Sequence, residues 1–178
     1  RVSVSGDYFL SQQAVQQMVG VLLVSVLLLF FILAAQFESL VQPFIILSEI
    51  VLDIFVVLVI LYLLRLAIDL MSMTGLIVMA GIVINDSILK VDTINRHRKS
   101  GMPLFESIVK AGRERLLPIL MTSLTTIFSL VPFLSGGSIG ADLQFPLSLT
   151  ILVGMVVGTG VSIFFVPILY YVIYRKRK

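Results

Sequence analysis

The stretch SMTGLIVMAGIVINDSILKVDTINRHRK, residues 72–99, decides the fold class of this protein. Its apolar part is long enough to cross a bilayer as a helix, because a hydrocarbon core of ~30 Å requires roughly 20 helical residues. The same run contains Asn85, Asp86 and Lys90, and polar or charged groups are costly in hydrocarbon. The stretch therefore predicts a membrane-spanning helix whose polar residues need a specific role.

The composition of the whole chain is that of a membrane protein. Of its 178 residues, 58% are hydrophobic and 13% are charged, whereas soluble domains are about half apolar and about a quarter charged. The spanning segments must be helices, because isolated strands would leave backbone groups unpaired in lipid. We predict an all-α, polytopic membrane bundle of five transmembrane helices, at about 15–35, 43–64, 72–94, 117–134 and 146–173.

The remaining residues divide into a short leading segment and one long connection. Residues 1–14 are polar and are expected to be the end of a segment outside the membrane, whereas residues 15–178 form the transmembrane domain. We predict that residues 95–116 form a basic loop, which contains a short interfacial helix that begins at Pro103. Because the chain opens on Arg1 rather than on Met, we expect an excerpt from a longer protein.

The distribution of Lys and Arg predicts the orientation. Of the thirteen basic residues, six lie in residues 95–116 and four in residues 175–178, and positive charges near helix ends stay on the cytoplasmic side. Five crossings place both basic clusters on one face, so the C-terminus is expected in the cytoplasm and the N-terminus outside. The pI of about 9.4 is therefore interpreted as an orientation signal beside the lipid bilayer, and no nucleic acid is expected as a partner.

Charged residues within the predicted spans are the candidates for function. Glu49 and Asp53 are four residues apart on one face of the second span, and Asp53 lies near mid-membrane. Asp86 and Lys90 have the spacing of a local ion pair, and Lys90 could instead extend to the interface. Away from the ends of the spans, three acids (Glu49, Asp53 and Asp86) are matched by one base (Lys90), so two acids must be protonated, find another partner or face water. Such residues either pin helices together or carry an ion during transport.

Other motifs are interpreted as serving helix packing or lipid contact rather than function. The small-residue pattern GMVVG at 154–158 indicates close helix packing, and the methionines of the third span are assigned to packing or lipid contact. The sequence contains no cysteine and no metal-ligand cluster, phosphate-binding loop or nucleophile motif. We therefore expect no metal, no cofactor and no enzymatic activity.

Four motifs resemble one family of membrane transporters. They are AAQFESLVQPF at 34–44, GIVINDSILKVD at 81–92, RERLLPILMTSLTT at 113–126 and FFVPILYY at 164–171. Together, and in this order, they are similar to the resistance-nodulation-cell division (RND) exporters of the AcrB type. The motifs extend along nearly the whole chain.

The resemblance implies a specific place in a larger assembly. The chain would form the eighth to twelfth helices of a twelve-helix transporter in the bacterial inner membrane, with a periplasmic N-terminus and residues 1–14 leaving a periplasmic domain. Its partners would be the first seven helices and periplasmic domain of the same transporter, two further copies in a homotrimer, a periplasmic adaptor and an outer-membrane channel. The driving force would be proton influx.

The resemblance also assigns residues to ion coupling. The family's relay sets two aspartates of the fourth helix against a lysine, a threonine and an arginine, whose positions fall here on Asn85, Thr122 and Arg115. Asn85 in place of lysine departs from the AcrB pattern. We expect Asn85 and Thr122 to act as hydrogen-bonding members and Arg115 as a proton-entry element on the cytoplasmic side.

Four further residues differ from the family pattern and suggest a variant coupling network. Asp53 and Asp86 are predicted to be the titrating groups, with Glu49 as a second acid beside Asp53 and Lys90 as a partner or an interface anchor.

The predicted activity is ion-driven efflux of amphiphilic or drug-like compounds. Export of heavy-metal cations by an RND transporter is the alternative within transport, and a membrane scaffold or protein-translocation accessory that transports nothing is the alternative outside it. The sequence leaves the substrate and the choice between proton and sodium open.

Overall fold

The computed structural model of this protein describes residues 2–66, 68–134 and 141–175, and within these ranges every regular element is an α-helix. Each of the five helices contains a segment long and apolar enough to cross a membrane. The prediction of an all-α fold with five spans is therefore confirmed. The helices are α1 (Val2–Phe37), α2 (Val41–Leu63), α3 (Leu70–Lys99), α4 (Leu104–Leu134) and α5 (Ala141–Arg175).

Local chemistry explains the breaks between helices. The connection after α1 passes through Glu38, and the one after α2 passes through Arg65, each with a positive φ angle that interrupts the helical path. Asp69 then caps α3: its Oδ1 accepts a hydrogen bond of 2.8 Å from the Ser72 amide, and the Ser72 hydroxyl accepts one of 2.9 Å from the Asp69 amide. This reciprocal capping box satisfies two of the free amides at the helix start.

The connection between α3 and α4 is much shorter than the predicted basic loop at 95–116. Helix α3 continues to Lys99 and α4 begins at Leu104, so only residues 100–103 lack helical structure. Gly101, with φ of +87°, and Pro103 supply the break. The predicted interfacial helix is the first part of α4 rather than a separate element, because α4 runs from Leu104 to Leu134 as one helix that contains Pro118 in its interior. The glycine-rich connection at 135–140 and the tail at 176–178 lie outside the described residues.

Helix α3 packs against all four other helices, α5 packs against α2, α3 and α4, and α1 packs against α2 and α3. Two clusters of buried apolar side chains hold this arrangement. The larger one contains Ile45, Val91 and Tyr170 and lies toward the end of α3 and α5, and the other contains Val57, Met79 and Val83. Buried polar side chains lie between these clusters on α2, α3 and α5, among them Glu49, Lys90 and Ser162.

Small residues bring α5 close to α3, as the pattern at 154–158 predicts. A Cβ atom added at Gly154 would overlap the Met79 side chain, and one added at Gly158 would lie 2.6 Å from Val83 Cγ2. A similar contact occurs at Gly75 of α3, where an added Cβ would lie 2.9 Å from the Leu147 carbonyl oxygen of α5. The packing interpretation of the GMVVG motif is thus confirmed.

Candidate functional site

A polar cluster lies between α2, α3 and α5. We define it as Glu49 and Asp53 of α2, Ser87 and Lys90 of α3, and Ser162 of α5; all five side chains are buried, with at most 2% of their surface exposed. Asp53 is close to the middle of α2, about 18 Å along the axis from Val41. The cluster is therefore enclosed deep within the spans, where water cannot compensate for missing partners.

Hydrogen bonds connect most of the polar cluster. The Lys90 ammonium donates to the Ser162 carbonyl oxygen and, at 2.9 Å, to the Ser162 hydroxyl. The hydroxyls of Ser162 and Ser87 are 3.1 Å apart, and Ser87 donates to Oε2 of Glu49. A chain of polar contacts thus runs from α3 through α5 and back through α3 to α2.

Three oxygen atoms of the polar cluster have no partner. They are Oε1 of Glu49 and both carboxyl oxygens of Asp53, and all three are enclosed by protein. A buried polar atom without a partner carries a desolvation penalty of about 1–3 kcal/mol, and more if it is charged. The polar cluster therefore lacks at least one donor that its two carboxyl groups require.

Lys90 occupies a different environment from either sequence-based expectation. Among the described residues, the ion pairs within 4.0 Å are Arg96 with Asp92 and His97 with Glu114, so the expected pairing of Lys90 with Asp86 is not formed. Lys90 is 2% exposed and therefore does not extend to the interface either. The carbonyl and hydroxyl of α5 compete successfully for the ammonium because that helix packs closely against α3. Asp86 is 9% exposed.

The residues assigned by family resemblance lie elsewhere. Asn85 and Thr122 are exposed on α3 and α4, and neither belongs to the polar cluster. The Thr122 hydroxyl donates at 2.9 Å to the Ile119 carbonyl of its own helix. Arg115 is partly buried, and its Nε–H donates at 2.8 Å to the Thr93 hydroxyl of α3. The structure thus separates Glu49, Asp53 and Lys90 from Asn85 and Thr122.

A second polar network, at the start of α2, was not anticipated from the sequence. The side-chain amides of Gln42 and Asn95 exchange two hydrogen bonds, of 3.1 and 2.7 Å, and Tyr170 donates to Asn95 at 2.7 Å. Tyr174 accepts from Gln42 at 3.0 Å, and the Arg98 guanidinium lies 4.8 Å from the centre of the Tyr174 ring. These contacts join α2, α3 and α5 at this end of the bundle.

Ser87 and Ser162 were also missed by sequence analysis. Ser87 lies three residues before Lys90 and so shares its helix face, which was an available signal. Ser162 had no such signal, because its role depends on how α5 packs. Among the described residues, no group of three or more His, Cys, Asp or Glu side chains has the arrangement of a metal site.

Comparisons with known proteins identify relatives of this chain. A family profile described as the AcrB/AcrD/AcrF family matches residues 2–174. The chain is 30% identical over 179 residues to the multidrug resistance protein MdtC of Erwinia amylovora, covering 100% of this chain and 18% of that protein. It is 31% identical over 152 residues to the toluene efflux pump membrane transporter TtgE of Pseudomonas putida, covering 85% of this chain and 14% of that protein.

A comparison with solved structures also finds an efflux pump. The fold is similar to that of a heavy metal efflux pump in its crystal form II, with a TM-score of 0.80 and 30% identity over 92% of this chain and 17% of that one. The chain therefore spans less than a fifth of the length of these relatives, and its likeness to them concerns a membrane-spanning part.

Proposed function

Because the chain belongs to the AcrB/AcrD/AcrF family, we propose that it forms five membrane-spanning helices of an ion-driven efflux transporter that exports amphiphilic or drug-like compounds. The match of the family profile to residues 2–174 carries this proposal. The chain would supply the eighth to twelfth of twelve helices in the bacterial inner membrane. This placement agrees with five candidate spans and with relatives that are more than five times longer.

The proposed orientation places the N-terminus in the periplasm and the C-terminus in the cytoplasm. Basic residues support it: Arg96, Arg98 and Lys99 end α3, Lys110 and Arg113 lie in the first part of α4, and Arg175 ends α5. All of these positions lie at one end of the bundle, the end that the positive-inside rule assigns to the cytoplasm. Residues 1–14 would then lead out of a periplasmic domain.

The proposed assembly follows the family. We propose that the chain works with the first seven helices and periplasmic domain of the same transporter, as a homotrimer, and with a periplasmic adaptor and an outer-membrane channel. The exposed apolar side chains of the described helices suit contact with lipid or with other spans; Phe31, Phe55 and Phe128 are between 61% and 70% exposed.

Seven residues are proposed to take part in ion coupling, in two groups. The first group lies outside the polar cluster: Asn85 and Thr122 are exposed, Arg115 is partly buried, and Asp86 is buried. The second group is Glu49, Asp53 and Lys90, which are buried within the polar cluster. Charged and polar groups at this depth are costly, and such residues commonly mark binding or transport sites.

Export of heavy-metal cations is the second candidate, because a similar solved structure is that of a heavy metal efflux pump. The named multidrug and toluene relatives favour amphiphilic substrates instead. A scaffold or translocation accessory that transports nothing is the remaining alternative, in which the buried polar residues would serve helix assembly only.

An accumulation assay in intact cells distinguishes these functions. Cells that produce the protein from its own gene are loaded with a fluorescent amphiphile or with a divalent heavy metal, with and without a protonophore. Ion-driven amphiphile efflux predicts lower dye accumulation that the protonophore abolishes. Lower accumulation of the metal alone would replace the proposal by metal export, and no change in either would favour the scaffold.

A matched pair of threonine variants tests the coupling surface. Thr122 and Thr125 are both exposed on α4, and each hydroxyl donates to a carbonyl of its own helix. Thr122→Val should lower the efflux rate at an unchanged protein level, while Thr125→Val should leave it unchanged. Equal rates in both variants would remove Thr122 from the proposed coupling residues, and unchanged efflux in Asn85→Ala would remove Asn85.

A further inference from the structure

The two carboxyl groups of the polar cluster have unequal surroundings. Oε2 of Glu49 accepts a hydrogen bond from Ser87, whereas neither oxygen of Asp53 has a partner. We propose that Asp53 holds a proton that it shares with Glu49, so that the polar cluster is a proton-binding site distinct from the surface of Asn85 and Thr122.

The directions of the hydrogen bonds follow from the number of protons available. A serine hydroxyl has one hydrogen, and an ammonium group has only donors. Because Ser87 donates to Glu49, the contact between Ser87 and Ser162 must be donated by Ser162. Ser162 in turn accepts from Lys90. The chain therefore runs in one direction, from the ammonium to Oε2 of Glu49, and it ends before it reaches Asp53.

Asp53 consequently needs a proton of its own. Its side chain is 1% exposed, and an ionised carboxylate without a donor in such a place is strongly unfavourable. A proton on Asp53 makes this side chain a donor. Glu49 lies one helical turn away on the same face and offers Oε1, the other unpaired carboxyl oxygen of the pair. One proton thus gives a partner to Glu49 Oε1 and to one oxygen of Asp53.

The charges facing the pair support a single shared proton. Helix α2 packs against α1, α3 and α5. Helix α3 contributes Lys90 within the polar cluster and, one turn earlier, Asp86 at its margin. The described side chains of α1, from Gln16 to Phe37, include no titratable residue, and those of α5 begin with Tyr170, about 12 Å along the axis from Ser162. Lys90 is the base among these groups and can balance at most one negative charge on the carboxyl pair, so the second carboxyl is neutral.

This inference rests on the proposed function only for its use in transport, where release of the shared proton would couple α2 to the movement of α3 and α5. Proton binding itself requires only the polar cluster. A measurement of the bound proton therefore tests the inference separately from any measurement of efflux.

Infrared spectroscopy detects such a proton directly, because the C=O stretch of a protonated carboxyl is separate from the bands of a carboxylate. The protein, produced from its own gene and reconstituted in lipid, is compared with Asp53→Asn at neutral pH in potassium buffer. The difference spectrum should contain the band of one protonated carboxyl, and this band should shift in heavy water. The control Asp92→Asn alters a partly exposed acid that pairs with Arg96, and it should lose no such band.

Glu49→Gln provides a second route if Asp53→Asn does not fold. It should also lose one band, because Asp53 alone would then be ionised opposite Lys90. The proposal is overturned if neither variant loses a band, or if the band is lost in Asp86→Asn and kept in Asp53→Asn. It is also overturned if sodium chloride at constant pH abolishes the band, since a sodium ion would then occupy the carboxyl pair. Efflux without the band would refute this inference alone, and the band without efflux would refute the proposed function alone.

Discussion

Gly158 is a position where a single substitution would disturb the packing of α5 on α3. An alanine Cβ there would lie 2.6 Å from Val83 Cγ2 and 3.4 Å from Oδ2 of Asp53. Val83 is buried, and its branched side chain has few alternative rotamers. The helices must therefore separate slightly, which also loosens the wall of the polar cluster around Asp53.

The expected magnitude comes from comparing two glycines of the same helix. An alanine at Gly160 would have no atom within 4 Å of its Cβ, so Gly160→Ala should stabilise α5 by about 1 kcal/mol through helix propensity. Gly158→Ala gains the same propensity but costs roughly 1–3 kcal/mol for overpacking. The propensity gain cancels in the difference, so Gly158→Ala should be less stable than Gly160→Ala by roughly 1–3 kcal/mol.

Unfolding in mixed micelles of a mild detergent and sodium dodecyl sulfate, followed by far-ultraviolet circular dichroism, measures this difference. Val83→Ala supplies the second arm of a double-mutant cycle, because it removes the atom that the new methyl group meets. The double variant should recover roughly 0.5–3 kcal/mol relative to the sum of the single changes. Equal stability of the two alanine variants, together with additive effects in the cycle, would show that α5 does not approach α3 at Gly158.

Three further changes test the polar contacts. Asn95→Ala removes hydrogen bonds to α2 and α5 and should cost about 1–3 kcal/mol in the same unfolding titration, whereas the exposed Asn85→Ala should change stability by less than about 0.5 kcal/mol. Ser87→Ala leaves Oε2 of Glu49 without its hydroxyl donor and should also cost about 1–3 kcal/mol; an unchanged unfolding midpoint would contradict that hydrogen bond. Arg115→Gln should lower dye efflux at an unchanged protein level, and Arg115→Lys, which keeps the charge but lacks the Nε–H donor, shows whether charge or hydrogen bonding is required.

The sequence predicts the spans well because the ability of a helix to cross a membrane depends mainly on the length and side-chain hydropathy of its segment. It predicts the end of α3 less well. The basic residues at 95–99 and the amphipathic residues at 104–116 suit the interface as a loop or as a helix, and the local signals at Gly101 and Pro103 fix only where the break falls. In the structure, both of these segments are helical: α3 continues to Lys99, and α4 begins at Leu104.

The candidate site divides in the same way. The spacing of Glu49 and Asp53 on α2 is a property of the sequence, since residues four apart share a helix face. Their surroundings are not, because Ser87 is 38 positions from Glu49 and Ser162 is 75 positions from Ser87. The partner of Lys90 likewise depended on a competition between Asp86 of its own helix and the backbone of α5.

The sequence by itself determined that this protein is a five-helix membrane bundle with more acids than bases inside its spans, because hydropathy and charge are summed along the chain. Only the tertiary structure decided which of those groups meet. The close approach at Gly158 places Ser162 beside Lys90 and Ser87, and it leaves Asp53 enclosed without a donor. Contacts between helices depend on atoms far apart in sequence, and the partners of a buried charge are therefore fixed by packing.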